Sequence, residues 1–253
     1  MTRTLMAAAT IALLAGIAQA EDTRLYELRI YTAPKGKLDA LHARFKDHTI
    51  KLFEKHGITN LGYWVPAKND ENKLYYLVSH KDKAARAESF KNFLADEDWK
   101  KAHKESEKDG SLVEKIEEVF LTATDYSPKI EASKGKAERT FELRTYTATK
   151  SNLDALNSRF RDHTVKLFEK HGMTNIAYFT LEKGSKGDDV TLLYFLAHES
   201  EDAAKKSFDS FRMDPDWVKA RAASEEKAKG SLTEKDGGVK SLFLKPTEYS
   251  MTK

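Results

Sequence analysis

The sequence of 253 residues contains no cysteine and only five prolines. The absence of cysteine excludes disulfide bonds, thiolate zinc sites, iron–sulfur clusters and a cysteine nucleophile. Basic and acidic residues nearly balance, at 43 against 40, and no basic block occurs, so the charge pattern gives no support for nucleic-acid binding. The spacings GxGxxG, GxxxxGK[ST], HExxH and GxSxG are also absent. We therefore expect no cofactor and no metal site.

The longest apolar run lies at the N-terminus. Met1–Ala20 combines a positive charge at Arg3, an apolar segment over Leu5–Gly16 and small residues at Ala18 and Ala20. This combination is typical of a secretory signal peptide cleaved after Ala20. The apolar segment is too short to cross about 30 Å of hydrocarbon comfortably. We therefore expect a periplasmic or secreted protein that has no membrane contact after cleavage.

The rest of the chain consists of one unit that occurs twice. Residues 26–63 and 141–178 align without a gap and are identical at 26 of 38 positions. Weaker matches continue to the ends of both units, where Asp-Tyr-Ser at 125–127 corresponds to Glu-Tyr-Ser at 248–250. A repeat of this strength has to be recognised before any fold is assigned. We predict a first repeat over 21–127, a polar linker over 128–138 and a second repeat over 139–253.

Each repeat predicts the same order of elements. In the first repeat, the apolar periodicity predicts strands over 24–32, 59–65, 73–80 and 114–124 and helices over 37–56 and 83–94, followed by a short third helix. This order is that of the split βαβ, ferredoxin-like unit. Such a sheet carries helices on one face and leaves the other bare. We therefore expect an α+β protein in which two tandem ferredoxin-like repeats pack sheet to sheet as an intrachain α/β barrel; the alternative is two independent beads.

The motifs and their order resemble the NIPSNAP family. They are the opening Tyr-Glu-Leu-Arg-Ile-Tyr-Thr at 26–32, the helix that ends in His-Gly at 56–57, Gly-Tyr-Trp at 62–64 and Asp-Pro-Asp-Trp at 214–217. The resemblance implies tandem domains of the dimeric α/β-barrel superfamily. Relatives in that superfamily include cofactor-independent monooxygenases, dehalogenating or isomerising enzymes and haem-binding proteins. In the second repeat Ala177 and Phe179 replace Gly62 and Trp64, so the two repeats need not be functionally equal.

Alternation along the first strand predicts a ligand site. The apolar set Tyr26, Leu28 and Ile30 is expected to pack on the helices. The opposite set and its copy in the second repeat are expected to face the barrel interior: Glu27, Arg29, Tyr31, Glu142, Arg144 and Tyr146. Buried charges must be paired, so this set is either an ion-pair network or a patch that binds an anionic or carbonyl-bearing ligand. Aromatic residues that line a pocket, or alternatively fill the core, are Tyr63, Trp64, Tyr76, Tyr178, Phe179 and Tyr194.

Two histidines are candidate catalytic residues. His48 and His163 are each expected on the apolar side of a helix, where a histidine is either a base or a hydrogen-bonded core residue. His56 and His171 are expected to cap the ends of their helices. The leading function is binding of a small, largely hydrophobic molecule in the barrel. The alternatives are a cofactor-independent monooxygenase-like or isomerase-like enzyme and a protein-interaction module, and the sequence leaves homo-oligomerisation open.

Overall fold

The computed structural model of the protein describes residues 22–130, 132–133 and 139–253. The predicted signal peptide with its cleavage site, and most of the predicted linker, lie outside the described residues. Within the described part of the chain, no helix combines the length and the apolar character needed to span a bilayer.

The two repeats contain the same elements in the same order. The first repeat has strands β1 (Leu25–Thr32), β2 (Thr59–Pro66), β3 (Lys73–His80) and β4 (Lys115–Ala123), and helices α1 (Leu38–Arg44), α2 (Ile50–Lys55), α3 (Lys83–Ala95) and α4 (Glu97–Ser106). The second has β5 (Thr140–Thr147), β6 (Thr174–Leu181), β7 (Thr191–His198) and β8 (Val239–Pro246), and α5 (Leu153–Arg159), α6 (Val165–Lys170), α7 (Glu201–Met213) and α8 (Pro215–Lys227). The strands of the first repeat begin and end within one residue of the predicted bounds.

The eight strands form one closed antiparallel barrel in the order β1-β3-β2-β8-β5-β7-β6-β4. Each repeat contributes four adjacent strands, and two seams join the repeats. At one seam β2 pairs with β8, and Trp64 lies opposite Pro246. At the other β4 pairs with β6, and Ala123 lies opposite Phe179. The closure removes every sheet edge and confirms the predicted intrachain α/β barrel.

The barrel interior is filled by apolar side chains from both repeats. Tyr26 and Leu28 of β1 lie there, and Ile30 packs against the same cluster. The Trp64 ring lies 5.6 Å from that of Phe141, measured between ring centroids. The prediction that the apolar set of β1 packs on the helices was therefore wrong. A closed barrel excludes water most completely from its interior, and the apolar set of each strand occupies that space.

The outer face of the barrel lies under the helices, so it is also buried. Leu41 of α1, Phe53 of α2 and Phe93 of α3 form one helix-side core with Tyr63 and Tyr76 of the sheet. The second repeat builds a separate helix-side core. The predicted polar set of β1 points into the helix-side layer of its own repeat and not into the barrel. The protein thus has one interior shared by both repeats and two helix-side layers that belong to one repeat each.

The predicted long helix contains a π-helical segment between α1 and α2. In the first repeat this segment is Phe45–Thr49, and the buried Thr49 hydroxyl donates a hydrogen bond of 3.1 Å to the carbonyl of Arg44, five residues earlier. The segment holds one more residue per turn than an α-helix, so the face that follows it is rotated. Thr49 takes the inward position, and His48 is exposed.

The last residues of each repeat contact the other repeat. Tyr249 lies with its hydroxyl 2.6 Å from Nδ1 of His42 on α1. Next to it, the Ser250 hydroxyl accepts a hydrogen bond of 2.9 Å from the backbone N–H of Tyr63. Residues 125–127 make the equivalent contacts with the second repeat. These matched segments therefore hold the two repeats together outside the barrel seams.

Candidate functional site

A cavity of about 650 Å³ lies in the helix-side layer of the first repeat. Strands β1 and β4 form its floor, and α1, the π-helical segment, α2, α3 and α4 form its walls. The walls combine charged side chains with aromatic ones, which include Phe45, Phe53, Phe90, Phe93 and Trp99. Its size falls within the range of about 300–1,000 Å³ that is usual for small-molecule sites. This cavity is the candidate functional site.

The mouth of the cavity combines apolar side chains with polar ones, among them His103 and Glu114. Leu94, near the end of α3, is 57% exposed, and Ile116 of β4 is 48% exposed. Both side chains border the cavity. Exposed large apolar residues are notable when they adjoin a concave site, since they extend its apolar surface toward solvent. In the second repeat, position 94 corresponds to Arg212.

Arg44 places one guanidinium group at the cavity wall. Its Nη1 donates to Oε1 of Glu107 at 2.8 Å, and the guanidinium carbon lies 5.4 Å from the centre of the Trp99 ring. The Arg44 side chain is buried, and its Nε has no hydrogen-bond partner within the described residues. A buried cation with an unused donor favours an acceptor from outside the protein.

Arg29 places a second guanidinium group at the floor of the cavity. Its Nη1 donates to Oε1 of Glu27 at 2.5 Å and to Glu118, which lies opposite Arg29 on β4. Its Nη2 donates to the Tyr31 hydroxyl at 3.3 Å. Its Nε is buried and, like that of Arg44, has no partner in the described part of the chain.

Glu27 anchors the charges of the site from behind. Arg86 of α3 donates to it through Nε at 3.0 Å and Nη2 at 2.9 Å, and Nε2 of His80 lies 3.2 Å from it. Burial by itself would raise the pKa of Glu27. The hydrogen bonds from His80 and Arg86 and the charge of Arg29 outweigh burial, and the pKa falls to about 2. Glu27 is therefore ionised at neutral pH and holds both arginines in place.

The structure divides the predicted ligand residues into three groups. Trp64 and Phe179 lie in the barrel interior. Those in the helix-side layer of the first repeat are Glu27, Arg29, Tyr31, Tyr63 and Tyr76, and those in the layer of the second are Glu142, Arg144, Tyr146, Tyr178 and Tyr194. Of the predicted residues, only Arg29 and Tyr31 border the cavity.

The predicted catalytic histidines do not reach this cavity. His48 and His163 are both exposed, because each lies in a π-helical segment whose buried position is taken by a threonine. The prediction that they lie on the apolar side of a helix was therefore wrong. The histidine that borders the cavity is His103 of α4. Among the described residues, no group of three or more His, Asp or Glu side chains is placed to hold a metal ion.

His56 and His171 do lie at helix ends, as predicted. His56 is the C-cap residue of α2, and its Nε2 lies 2.7 Å from Oδ2 of Asp96, the N-cap residue of α4. His171 makes the same contact with Asp214 at 2.7 Å. These histidines join one helix end to the next helix start, which accounts for their positions.

The sequence reasoning missed most of the cavity residues. Arg44 belongs to the repeated Arg-Phe-x-Asp-His-Thr motif, where its conservation in both repeats was available as a signal. Arg86 and Glu118 gave a different signal, because the second repeat has Ala204 and Ser241 in their places. Because both repeats have the same fold but only the first has this charged pair, the fold does not require the pair. It therefore marks a difference between the sites of the two repeats.

The fold defines the protein as an α+β barrel closed by two tandem repeats. The family model for NIPSNAP matches residues 26–128 and matches again over residues 141–251. These matches span most of the sequence, so the chain belongs to the NIPSNAP family and contains two tandem NIPSNAP domains. No curated protein matches the chain.

Solved structures share the fold at low sequence identity. A Fusobacterium nucleatum protein named a "putative monooxygenase" is 14% identical, with 91% of this chain and 98% of that chain covered and a TM-score of 0.57. A Lactobacillus acidophilus protein of the same name is 11% identical, with coverage of 88% and 93% and a TM-score of 0.54. A NIPSNAP family protein of unknown function from Agrobacterium tumefaciens is 23% identical, with coverage of 42% and 92% and a TM-score of 0.37.

Proposed function

We propose that the protein binds a small, largely hydrophobic molecule in the cavity of the first repeat. The observation that carries the proposal is the cavity itself, about 650 Å³ in volume, with aromatic rings in its walls and the apolar side chains of Leu94 and Ile116 at its mouth. The barrel interior was the predicted place for the ligand, but buried apolar side chains fill it. The helix-side cavity therefore replaces it as the binding site.

The strand order supports the finer assignment of each repeat as a ferredoxin-like unit. Within the first repeat the order is β4-β1-β3-β2, and the second repeats it as β8-β5-β7-β6. In this arrangement the helices of a repeat all cover one face of its own sheet. A cavity between helices and sheet can consequently form in one repeat without any change in the other.

We also propose that the protein acts outside the cytoplasm. The N-terminal pattern of residues 1–20 supports export. Mass spectrometry of the protein recovered from its native host should give Glu21 as the first residue. An N-terminus at Met1 would contradict export by this route.

The binding proposal can be tested with the neutral fluorescent probe N-phenyl-1-naphthylamine. The probe should bind one site per chain, and its emission should rise on binding. Leu94→Trp places an indole ring, which is larger than the leucine side chain, at the cavity mouth. It should weaken binding of the probe about tenfold or more, which corresponds to a loss of at least about 1.4 kcal/mol in binding free energy. Arg212→Trp, at the equivalent position of the second repeat, is the matched control and should leave binding unchanged.

Two outcomes would contradict this proposal. One is the absence of saturable binding by the wild-type protein. The other is equal weakening by Leu94→Trp and Arg212→Trp, which would place the probe elsewhere. Circular dichroism of both variants would establish that each one is folded.

A further inference from the structure

The two repeats share a buried polar core on the first strand. In the first repeat Glu27 contacts Arg29 and His80, and in the second Glu142 contacts Arg144 at 2.5 Å and His198 at 3.0 Å. The same three residue types therefore occur at the same three positions. Any difference between the two cores arises from the residues around them.

In the second repeat the arginine of this core bonds to a neighbouring tyrosine. Nε of Arg144 donates to the Tyr194 hydroxyl at 2.9 Å. The Ser241 hydroxyl donates to Oε1 of Glu142 at 2.5 Å. The position of Arg86 is occupied by Ala204 in this repeat. Glu142 and Arg144 thus find these partners without a further charged residue.

The core of the first repeat is not satisfied in this way. Glu118 replaces Ser241 on the neighbouring strand and draws the guanidinium group of Arg29 toward itself. As a result, the Arg29 Nε and the hydroxyl of Tyr76, which are equivalent to the bonded pair in the second repeat, are both buried without partners. The Nε of Arg44, on the wall of the same cavity, is also without a partner, but so is the Nε of its counterpart Arg159, so this donor does not distinguish the repeats. Unused buried donors of this kind carry a free-energy cost, so the core of the first repeat is less well satisfied at Arg29 and Tyr76 than the core of the second repeat is at Arg144 and Tyr194.

Glu118 is the most exposed of the three carboxylates that contact the arginines, although Nη2 of Arg86 also lies 3.4 Å from its Oε1. Its side chain is 37% exposed, whereas that of Glu107, on Arg44, is 20% exposed and that of Glu27 is fully buried. A partly exposed carboxylate recovers its hydration when it turns outward, so its release costs less than the release of a buried one. The second repeat shows in addition that the core stands without a carboxylate at this position.

We infer that the ligand is an aromatic molecule with one anionic group, and that this group replaces the Glu118 carboxylate on Arg29. The inference rests on the proposed function and adds the chemical class of the ligand. The aromatic part packs against Phe90, Phe93 and Trp99, which border the cavity. The anionic group accepts hydrogen bonds from Arg29, and Arg44 offers a second charged donor at the same cavity. Glu27 remains bonded to both Arg86 and Arg29.

A pair of isosteric probes tests this inference: 2-naphthoate, which is anionic, and 2-naphthamide, which is neutral. Isothermal titration of the wild-type protein should show that 2-naphthoate binds about tenfold or more tightly than 2-naphthamide, because only the carboxylate can take the place of the Glu118 charge on Arg29. Glu118→Gln removes the competing charge and should tighten 2-naphthoate severalfold while leaving 2-naphthamide unchanged. Glu117→Gln is the matched control, since Glu117 is the next residue of β4, points to the other face and pairs with Lys115. It should change neither affinity.

The possible results separate the inference from the proposal on which it rests. Equal affinities for the two naphthyl probes, or weaker binding of 2-naphthoate by Glu118→Gln, would overturn the inference. Failure of both naphthyl probes in a protein that still binds N-phenyl-1-naphthylamine would also overturn the inference and leave the binding proposal intact. Failure of all three probes would overturn both.

Discussion

Replacement of Gly62 by alanine tests the packing of the barrel interior. An ideal Cβ at Gly62 would lie 2.1 Å from Cη2 and 2.3 Å from Cζ2 of Trp64, well inside any permitted contact. The ring cannot move freely, because its centroid lies 5.6 Å from that of Phe141 and 5.2 Å from that of Phe195, both in the second repeat. Overpacking of this kind costs about 1–3 kcal/mol, and the rigid neighbours place Gly62→Ala near the upper end.

The second repeat contains the compensating change. Ala177 and Phe179 stand where the first repeat has Gly62 and Trp64, and the smaller ring leaves room for the methyl group. Trp64→Phe alone should cost about 1–2 kcal/mol through the space that it leaves. The double variant Gly62→Ala with Trp64→Phe should be more stable than the sum of the single losses predicts. We expect a coupling energy of about 2 kcal/mol.

Chemical denaturation followed by far-ultraviolet circular dichroism would measure these free energies of unfolding. Circular dichroism is preferable to fluorescence because Trp64 itself is replaced. In thermal unfolding, a loss of about 3 kcal/mol corresponds to a fall in Tm of about 6–12 °C for a protein of this size. Wild-type stability of Gly62→Ala, or strictly additive losses in the double variant, would refute the packing described for the interior.

Three further predictions concern buried polar groups. The pKa of Glu27 in the folded protein is about 2, below its ordinary value of 4.5. The ionised carboxylate therefore stabilises the fold by up to about 3 kcal/mol above pH 4.5, and this stabilisation is lost as the pH falls toward 2. In urea unfolding, Glu27→Gln should remove most of this pH dependence. Burial lowers the pKa of His42 below its ordinary value of 6.5. The free energy of unfolding should therefore decrease as the pH falls from 6.5 toward that lowered pKa. The variant His42→Asn, which introduces the residue type of Asn157, should unfold with less dependence on pH in this range. Thr49→Val removes the hydrogen bond to the Arg44 carbonyl and should lower the free energy of unfolding by about 1 kcal/mol.

The order and bounds of the elements could be predicted from the sequence because they depend on local patterns. Alternation of apolar residues identified β1, and the start of α8 followed from Asp214, whose side chain accepts a hydrogen bond of 2.8 Å from the backbone of Asp216, and from Pro215 in the first turn. The closed barrel followed from a tertiary argument, since a four-stranded sheet of this size cannot leave one face bare. The repeat made that argument available.

The direction in which β1 faces could not be obtained from alternation alone. Both faces of the strand are buried, one in the barrel and one under the helices, so the pattern distinguishes the faces without saying which is which. Glu27 lies under the helices with His80 as a partner, and Glu142 lies there with His198, although only the first repeat has Arg86 as a further partner. No group of that kind lies in the apolar cluster of the barrel interior. The partners of a buried charge therefore decide the orientation, and the partners come from distant parts of the chain.

The position of His48 was missed for a different reason. A helical periodicity of 3.6 residues places it on the inward face with Phe45 and Leu52. The π-helical segment inserts one residue into that face, and Thr49 takes the inward position. The sequence holds no unambiguous sign of the insertion, although the repetition of Asp-His-Thr in both halves shows that the segment is under constraint in each.

The fused arrangement explains why the repeats can differ at one site and agree elsewhere. Both repeats contribute side chains to the barrel interior. Trp64, at the position that Phe179 has in the second repeat, therefore requires glycine at position 62 and must also fit the aromatic rings of the other repeat. In the helix-side layer of the first repeat, the ion-pair partners of Arg86 and Glu118 all belong to that repeat, so these two residues can be gained or lost without a response from the other repeat. Substitutions in the helix-side layer that contains the cavity therefore require the fewest compensating changes. Two identical subunits would have to carry any such change twice, whereas one chain with two repeats can assign ligand binding to one repeat and leave the other as scaffold.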